Sequence, residues 1–199
     1  DNSSHTADIA ISQRLQHLGD SNTYLDFPSN DTFNLVAGGN SFLKYDSGNI
    51  LINNANADVD TKIMADDGNV VLHVDAGTNK VGIGTTSPNT ELHVDGSFAL
   101  KSREVTSFPY SVAADDYVVL VAGTGTPRRI NLPAKSGQEG RIIVIKDATG
   151  NAQTNNIEIN PDGSENIDGS ADKLLNTNRV AVTIICASDQ WHIIGKYSG

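Results

Sequence analysis

Few residues in this chain have the type and spacing that chemistry requires. His73 and His93 hold the same place in a repeated Leu-His-Val-Asp, the second copy twenty residues after the first. If three copies of the chain shared an axis, equivalent histidines would meet there and offer a metal three nitrogen ligands. The plainer reading, a half-exposed imidazole at an ordinary strand position, is preferred. Asp66-Asp67 and Asp115-Asp116 are adjacent carboxylates, and glycan hydrolysis needs an acid and a nucleophile or base at a set separation. Strand neighbours point to opposite faces, and turn aspartates bond locally or are solvated, so neither pair is singled out. Asp58, Asp60, Asp66 and Asp67 would offer oxygens to calcium, but the loop spacing and its closing glutamate are missing.

Arg128-Arg129, Tyr110, Tyr117, Trp191 and Tyr197 most resemble a recognition surface. Aromatic faces stack on sugar rings, and arginine pairs with the carboxylates of acidic glycans. Arg128, Arg129, Tyr110 and Trp191 are the candidate contacts. Trp191 sits in Gln190-Trp191-His192-Ile193-Ile194, where core packing is the first expectation. Arg128 and Arg129 open a strand after a Gly/Thr/Pro loop, so at least one is expected at the surface. Gly82-Ile83-Gly84 has no third glycine and no helical pattern after it, which argues against a phosphate-binding loop. None of the serines stands in Gly-x-Ser-x-Gly. Cys186, the single cysteine, lies in an apolar run and is read as a small buried residue. No catalytic residue and no cofactor are expected, and the chain is read as a non-enzyme.

The elements that must position these residues are strands. The sequence holds 20 Asn, 19 Asp, 18 Gly, 17 Ser and 15 Thr, nearly half of its 199 residues, and these types favour turns and edges. Only 5 Glu and 1 Met are present, so helices are disfavoured and short strands with many turns are predicted. Apolar residues still make up 38% and recur in alternation, which separates the chain from a disordered one. A net charge of −10 repels phosphates and argues against nucleic-acid binding. No apolar run approaches the ~20 residues of a spanning helix, so membrane insertion is not expected. Residues 1–100 carry a net −9 and residues 101–199 a net −1, a step that suggests two segments.

Ile11, Leu15 and Leu18 fit a helical turn, while Ile9 and Ile11 fit a strand equally well. From Thr23 to Asn53, pieces of about 4–6 residues separated by turn clusters predict hairpins and meanders. The repeat over residues 72–97 is too short to bury a core alone, so it must stack on neighbours or on other chains. Residues 97–106 read as a connector. Beyond them, predicted strands at Tyr117–Val121, Arg129–Leu132, Arg141–Lys146, Ile157–Asn160, Arg179–Cys186 and Gln190–Gly195 suggest a small sandwich or prism.

Several segments resemble one family. His17-Leu18-Gly19-Asp20-Ser21-Asn22-Thr23 with Asp31-Thr32-Phe33 is similar to a segment of bacteriophage tail-fibre proteins. Asn79-Lys80-Val81-Gly82-Ile83-Gly84-Thr85-Thr86-Ser87-Pro88, followed by Leu92-His93-Val94-Asp95-Gly96, resembles the glycine-rich unit of phage fibres and spikes. Arg141–Lys146, Ile159–Gly169 and Trp191–Ile194 resemble a β-domain near the distal ends of such fibres. The likeness runs from about residue 9 to residue 195. In that family a self-cleaving chaperone often follows the glycine-rich unit, whereas this chain continues into a β-segment.

The resemblance implies a homotrimeric virion fibre protein, structural and adhesive, that attaches to a bacterial surface glycan or protein and joins other tail or baseplate proteins. The expected fold is all-β: an elongated trimeric intertwined β-shaft over residues 1–104, then a small β-sandwich or prism-like tip over 105–199. Val70, Leu72, Val74, Val81 and Ile83 would face the shared axis. The alternatives are a tailspike-like glycan depolymerase, and a capsid or collar fibre without a receptor.

Overall fold

A computed structural model of the chain describes residues 13–198. Every regular element in that range is a strand, so the all-β expectation holds. The chain divides into two compact units between Phe98 and Ala99, ahead of the expected boundary at 104/105.

The N-terminal unit contains two sheets. In the first, β1 (Arg14–Gln16), β2 (Tyr24–Asp26), β3 (Phe33–Ala37), β4 (Asn40–Asp46) and β5 (Asn49–Ile52) form an antiparallel meander in chain order. Its last two hairpins turn on Gly38-Gly39 and Ser47-Gly48, where all four residues have positive φ. Positive φ at both central residues gives a two-residue turn whose twist matches that of the strands. Leu15 lies in β1 and Leu18 in the turn after it, so these two residues do not form the helical turn considered from the sequence. Ile9 and Ile11 lie outside the described residues.

The second sheet is β6 (Thr61–Met64), β7 (Val70–Asp75), β8 (Lys80–Ile83) and β9 (Leu92–Val94), again in order. Its first two pairings are antiparallel, and β8 and β9 run parallel. Parallel neighbours usually need a crossover of a dozen or more residues; here residues 84–91 suffice because the loop folds back over its own strand. A side chain at Gly82 would strike the carbonyl oxygen of Thr85, so only glycine admits this path. Gly84, at φ 73°, starts the return, and a Cβ there would approach the Asp95 carbonyl to 2.9 Å. Pro88 is buried within the loop.

The C-terminal unit is wound differently. Its strands are β10 (Ser102–Val105), β11 (Tyr110–Ser111), β12 (Val118–Val121), β13 (Arg128–Asn131), β14 (Ile142–Asp147), β15 (Ile157–Asn160), β16 (Lys173–Leu175), β17 (Ala181–Cys186) and β18 (Trp191–Tyr197). One sheet has the order β10-β12-β14-β17-β18 and the other β11-β13-β15-β16. From β10 to β15, successive strands alternate between the two sheets, and neighbours within each sheet are parallel. A strand of the opposite sheet thus serves as each crossover. The last strands, β16, β17 and β18, pair antiparallel and finish both sheets.

Both sheets line one core, with Val119, Ile143, Ile145, Val182 and Ile184 on one side and Ile130, Ile157 and Ile159 on the other. Strand alternation explains the selection: β14 and β17 both bury every second residue. The six predicted C-terminal strands lie where expected to within a few residues. The expected connector is a departure, because it contains β10, which pairs with β12. Ser-Arg-Glu-Val holds a single apolar residue, so no alternating signal marks that strand.

Candidate functional site

Register shows which side chains share a face, and in the N-terminal unit it gathers the apolar ones. Leu15, Leu25, Leu35, Leu43 and Ile52 are directly paired from strand to strand, making one row across all five strands of the first sheet. Phe33, Tyr45 and Ile50 form the next row on that face, with the two rings stacked at 6.3 Å. In the second sheet, Ile63, Leu72, Ile83 and Val94 make one row, and Val74, Val81 and Leu92 lie along another on the same face. The register shift between Ile63 and Met64 pairs Val70 with Met64, so Val70 does not share the side of Leu72 and Val74, contrary to the expected common face.

These rows stand open. Ile50 is 71% exposed, Leu92 61% and Leu15 59%, while Val36 is the one large apolar residue of the described N-terminal unit that is fully buried. Directly opposed apolar pairs stabilise a sheet only when something covers them. A continuous open apolar face is a template for association.

The repeated histidines lie on the other face. His73, Gly82 and His93 form one row, with Gly82 between the imidazoles. Thr85 fills the place over Gly82 where a side chain would stand. His73 is 2% exposed, and its Nε2 lies 2.9 Å from Asp60 Oδ2. That hydrogen bond, ahead of others from the Ala76 amide and Lys62, holds the Asp60 carboxyl below the usual carboxylate range. An axis lined by Leu72 and Val74 would turn His73 and His93 away from it, so the axial metal site and an apolar axis exclude each other. Among the described residues, no three His, Cys, Asp or Glu side chains converge as metal ligands do.

The four candidate contacts in the C-terminal unit are not gathered into one surface. Trp191 is 0% exposed and belongs to the core, so its ring is unavailable to a sugar. The correction follows from register: Trp191 pairs with Cys186, an inward position of β17. Arg128 is likewise enclosed, with its guanidinium 3.4 Å from Asp147 Oδ1 and donating to Thr149 Oγ1 at 3.1 Å and to the Asn155 carbonyl. Charges are sealed in this way only when paired and hydrogen-bonded. Burial pushes the Asp147 carboxyl up. The Arg179 and Ala152 amides, the Thr149 hydroxyl and the Arg128 charge outweigh that and hold it at about 2.

Tyr110 is half-buried and donates its hydroxyl to Asp116, which also accepts from Arg103 and from the Ala113 amide at 2.8 Å. Burial first, then the neighbouring carboxylate, pushes the phenol up to about 12. Asp115 and Asp116 occupy a turn. Asp115 is exposed and pairs with Lys101, while Asp116 is buried and bound on three sides. Beside them lies a depression of about 380 Å³ that Arg141 and Tyr117 help to line. Asp67 caps its own turn through the Asn69 amide at 2.9 Å. Arg129 is the candidate left at the surface, paired across the strands with Glu158 at 3.1 Å. Cys186 is 1% exposed, as its apolar run predicts, and burial raises its thiol pKa.

Sequence reading placed recognition at the arginine pair and missed the Arg128–Asp147 network, which joins residues distant in the chain. Alternation picked out Leu72, Val74, Val81 and Ile83, which share one face, but it misplaced Val70 and missed the continuation of that face through Ile63 and Val94. That continuation depends on register. No family model matches the chain, and no curated protein sequence matches it.

Proposed function

We propose that the chain is a structural and adhesive fibre protein of a virion: a homotrimer that joins other tail or baseplate proteins and attaches to a bacterial surface glycan or protein. The observation that carries this reading is the pair of open apolar faces in residues 14–94. Strands of three to seven residues in a single layer have no interior of their own. Copies of the chain packed face to face supply one, and the acidic remainder of the surface then keeps the assembled particles apart. The likeness of residues 79–96 to phage fibre units supports three copies and a place on the virion. Adhesion follows as multivalent binding, in which three weak sites act together.

Light scattering and an unheated SDS gel test the assembly. The expected mass is three times the 21.1 kDa of one chain, with the band resisting SDS. Leu35→Asp and Ile83→Asp place a charge within each apolar face and are expected to return the protein to the mass of one chain. A well-folded wild-type monomer overturns the trimer. Adhesion is tested with labelled trimer on bacterial cells, where saturable retention is expected; a trimer that no bacterial surface retains overturns the adhesive role.

A further inference from the structure

The outer faces of the two C-terminal sheets differ in kind. On the four-stranded sheet, the residues turned away from the core form the rows Ser111–Asn131–Asn160 and Arg129–Glu158–Leu174. That face is mostly polar, with Arg129 and the Asn160 amide both bonding Glu158. On the five-stranded sheet, Val118, Leu120, Ile142, Val144 and Ile185 alternate with core residues, and Val118 pairs directly with Val144, as Ile142 does with Ile185. This face is therefore apolar at its centre, with Ser102, Glu104, Lys146 and Thr183 in the same rows, and such a central patch belongs to sheets covered on both sides. The sheet's inner residues are sealed, but all five outer ones stay partly open to solvent.

We propose that this outer face, centred on Val144, is a second interface between copies of the chain; the inference rests on the trimeric reading above. Five strands about 4.8 Å apart, each contributing about five residues at about 3.3 Å, give a face of roughly 400 Å². A stable interface takes about 800 Å² from each partner, so the face alone is too small to hold an unrelated protein firmly. Another copy of this chain is already held through the open rows of residues 14–94 under the trimeric reading, so a face of this size suffices at the high effective concentration that linkage gives. One row of the face also carries both signs of charge, Glu104 on β10 and Lys146 on β14. That mixture suits a self-complementary contact better than a partner of one sign. The polar wall that includes Arg129 and Glu158 is then the side left for other partners.

The test compares Val144→Cys with Asn131→Cys, two half-buried outward positions on the two sheets. Full-length variants are treated with a maleimide, each rate is normalised to that of the unfolded chain, and Trp191 emission verifies the core. Cys186 is 1% exposed and contributes little background. The thiol at position 144 is expected to react about tenfold or more slower than the thiol at 131, because a covered thiol is out of reach. Equal rates in a protein that retains the trimeric mass overturn this interface and leave the trimer standing. A monomeric wild-type protein overturns both.

Discussion

Strands of the same length and the same two-residue alternation behave differently in the two units. In residues 102–197 the alternate apolar residues meet those of a facing sheet, and Ile143, Ile145, Ile157 and Ile159 reach 0% exposure. In residues 14–94 the same alternation leaves Ile50, Ile63 and Leu92 more than half exposed. The difference lies in the path of the chain. The C-terminal segment changes sheets at every strand up to β15, so it builds both walls of a core as it goes. The N-terminal segment completes each of its two sheets in chain order before starting the next, so it never alternates between two walls of one core. One unit encloses a core within a single chain, and the other leaves its apolar rows open.

The comparison is most exposed at Arg128. Arg128→Ala leaves the buried Asp147 carboxylate without its cation, and losses of this kind run to about 3–5 kcal/mol. The single tryptophan, Trp191, lies in the C-terminal core and reports on that unit in urea. Its unfolding midpoint is expected to fall sharply; an unchanged midpoint would show that the core does not depend on its own enclosed charges.

Gly82→Ala probes the other unit. Forcing a side chain against the Thr85 carbonyl is expected to cost about 1–3 kcal/mol, the usual range for overpacking. The proposed trimer would lose its expected resistance to SDS while the Trp191 midpoint stays put, and a shift in that midpoint would break the separation between units.

Acid sharpens the same contrast. The folded Asp147 carboxyl sits at about 2, below its unfolded value of about 3.9, so the unfolded chain takes up its proton first. The stabilisation, about 2–3 kcal/mol, is complete above the unfolded value and is lost as pH falls from about 4 toward 2. The Trp191 transition in urea should follow that window, and in Asp147→Asn the dependence over it should flatten.

The smallest effect is expected at Arg129→Ala. Its pair with Glu158 is solvent-exposed, and such pairs contribute less than about 1 kcal/mol. A loss comparable to that of Arg128→Ala would mean that the polar wall is not the solvent face assigned to it.

Much of this architecture was legible in the residues. Asn, Asp and Gly clusters marked the turns, period-two alternation marked β14, β15 and β17, and Leu72 and Val74 were legible as one face, whereas a bulge that alternation cannot show takes Val70 off it. β10 was not, because a strand held by parallel backbone pairing needs no apolar pattern. Arg128 and Arg129 show the limit most clearly. They are adjacent and identical in type, yet one side chain is enclosed with Asp147 and the other stands at the surface. Sequence fixes that strand neighbours point to opposite sides, but which side is covered depends on Asp147 and Asn155 arriving from elsewhere in the chain. The same holds for Trp191, whose burial follows from its pairing with Cys186. Local patterning by itself determined that the chain forms short strands with one apolar face each. Tertiary structure decided which of those faces meet a second sheet and which remain open, because coverage depends on the path of the chain between strands.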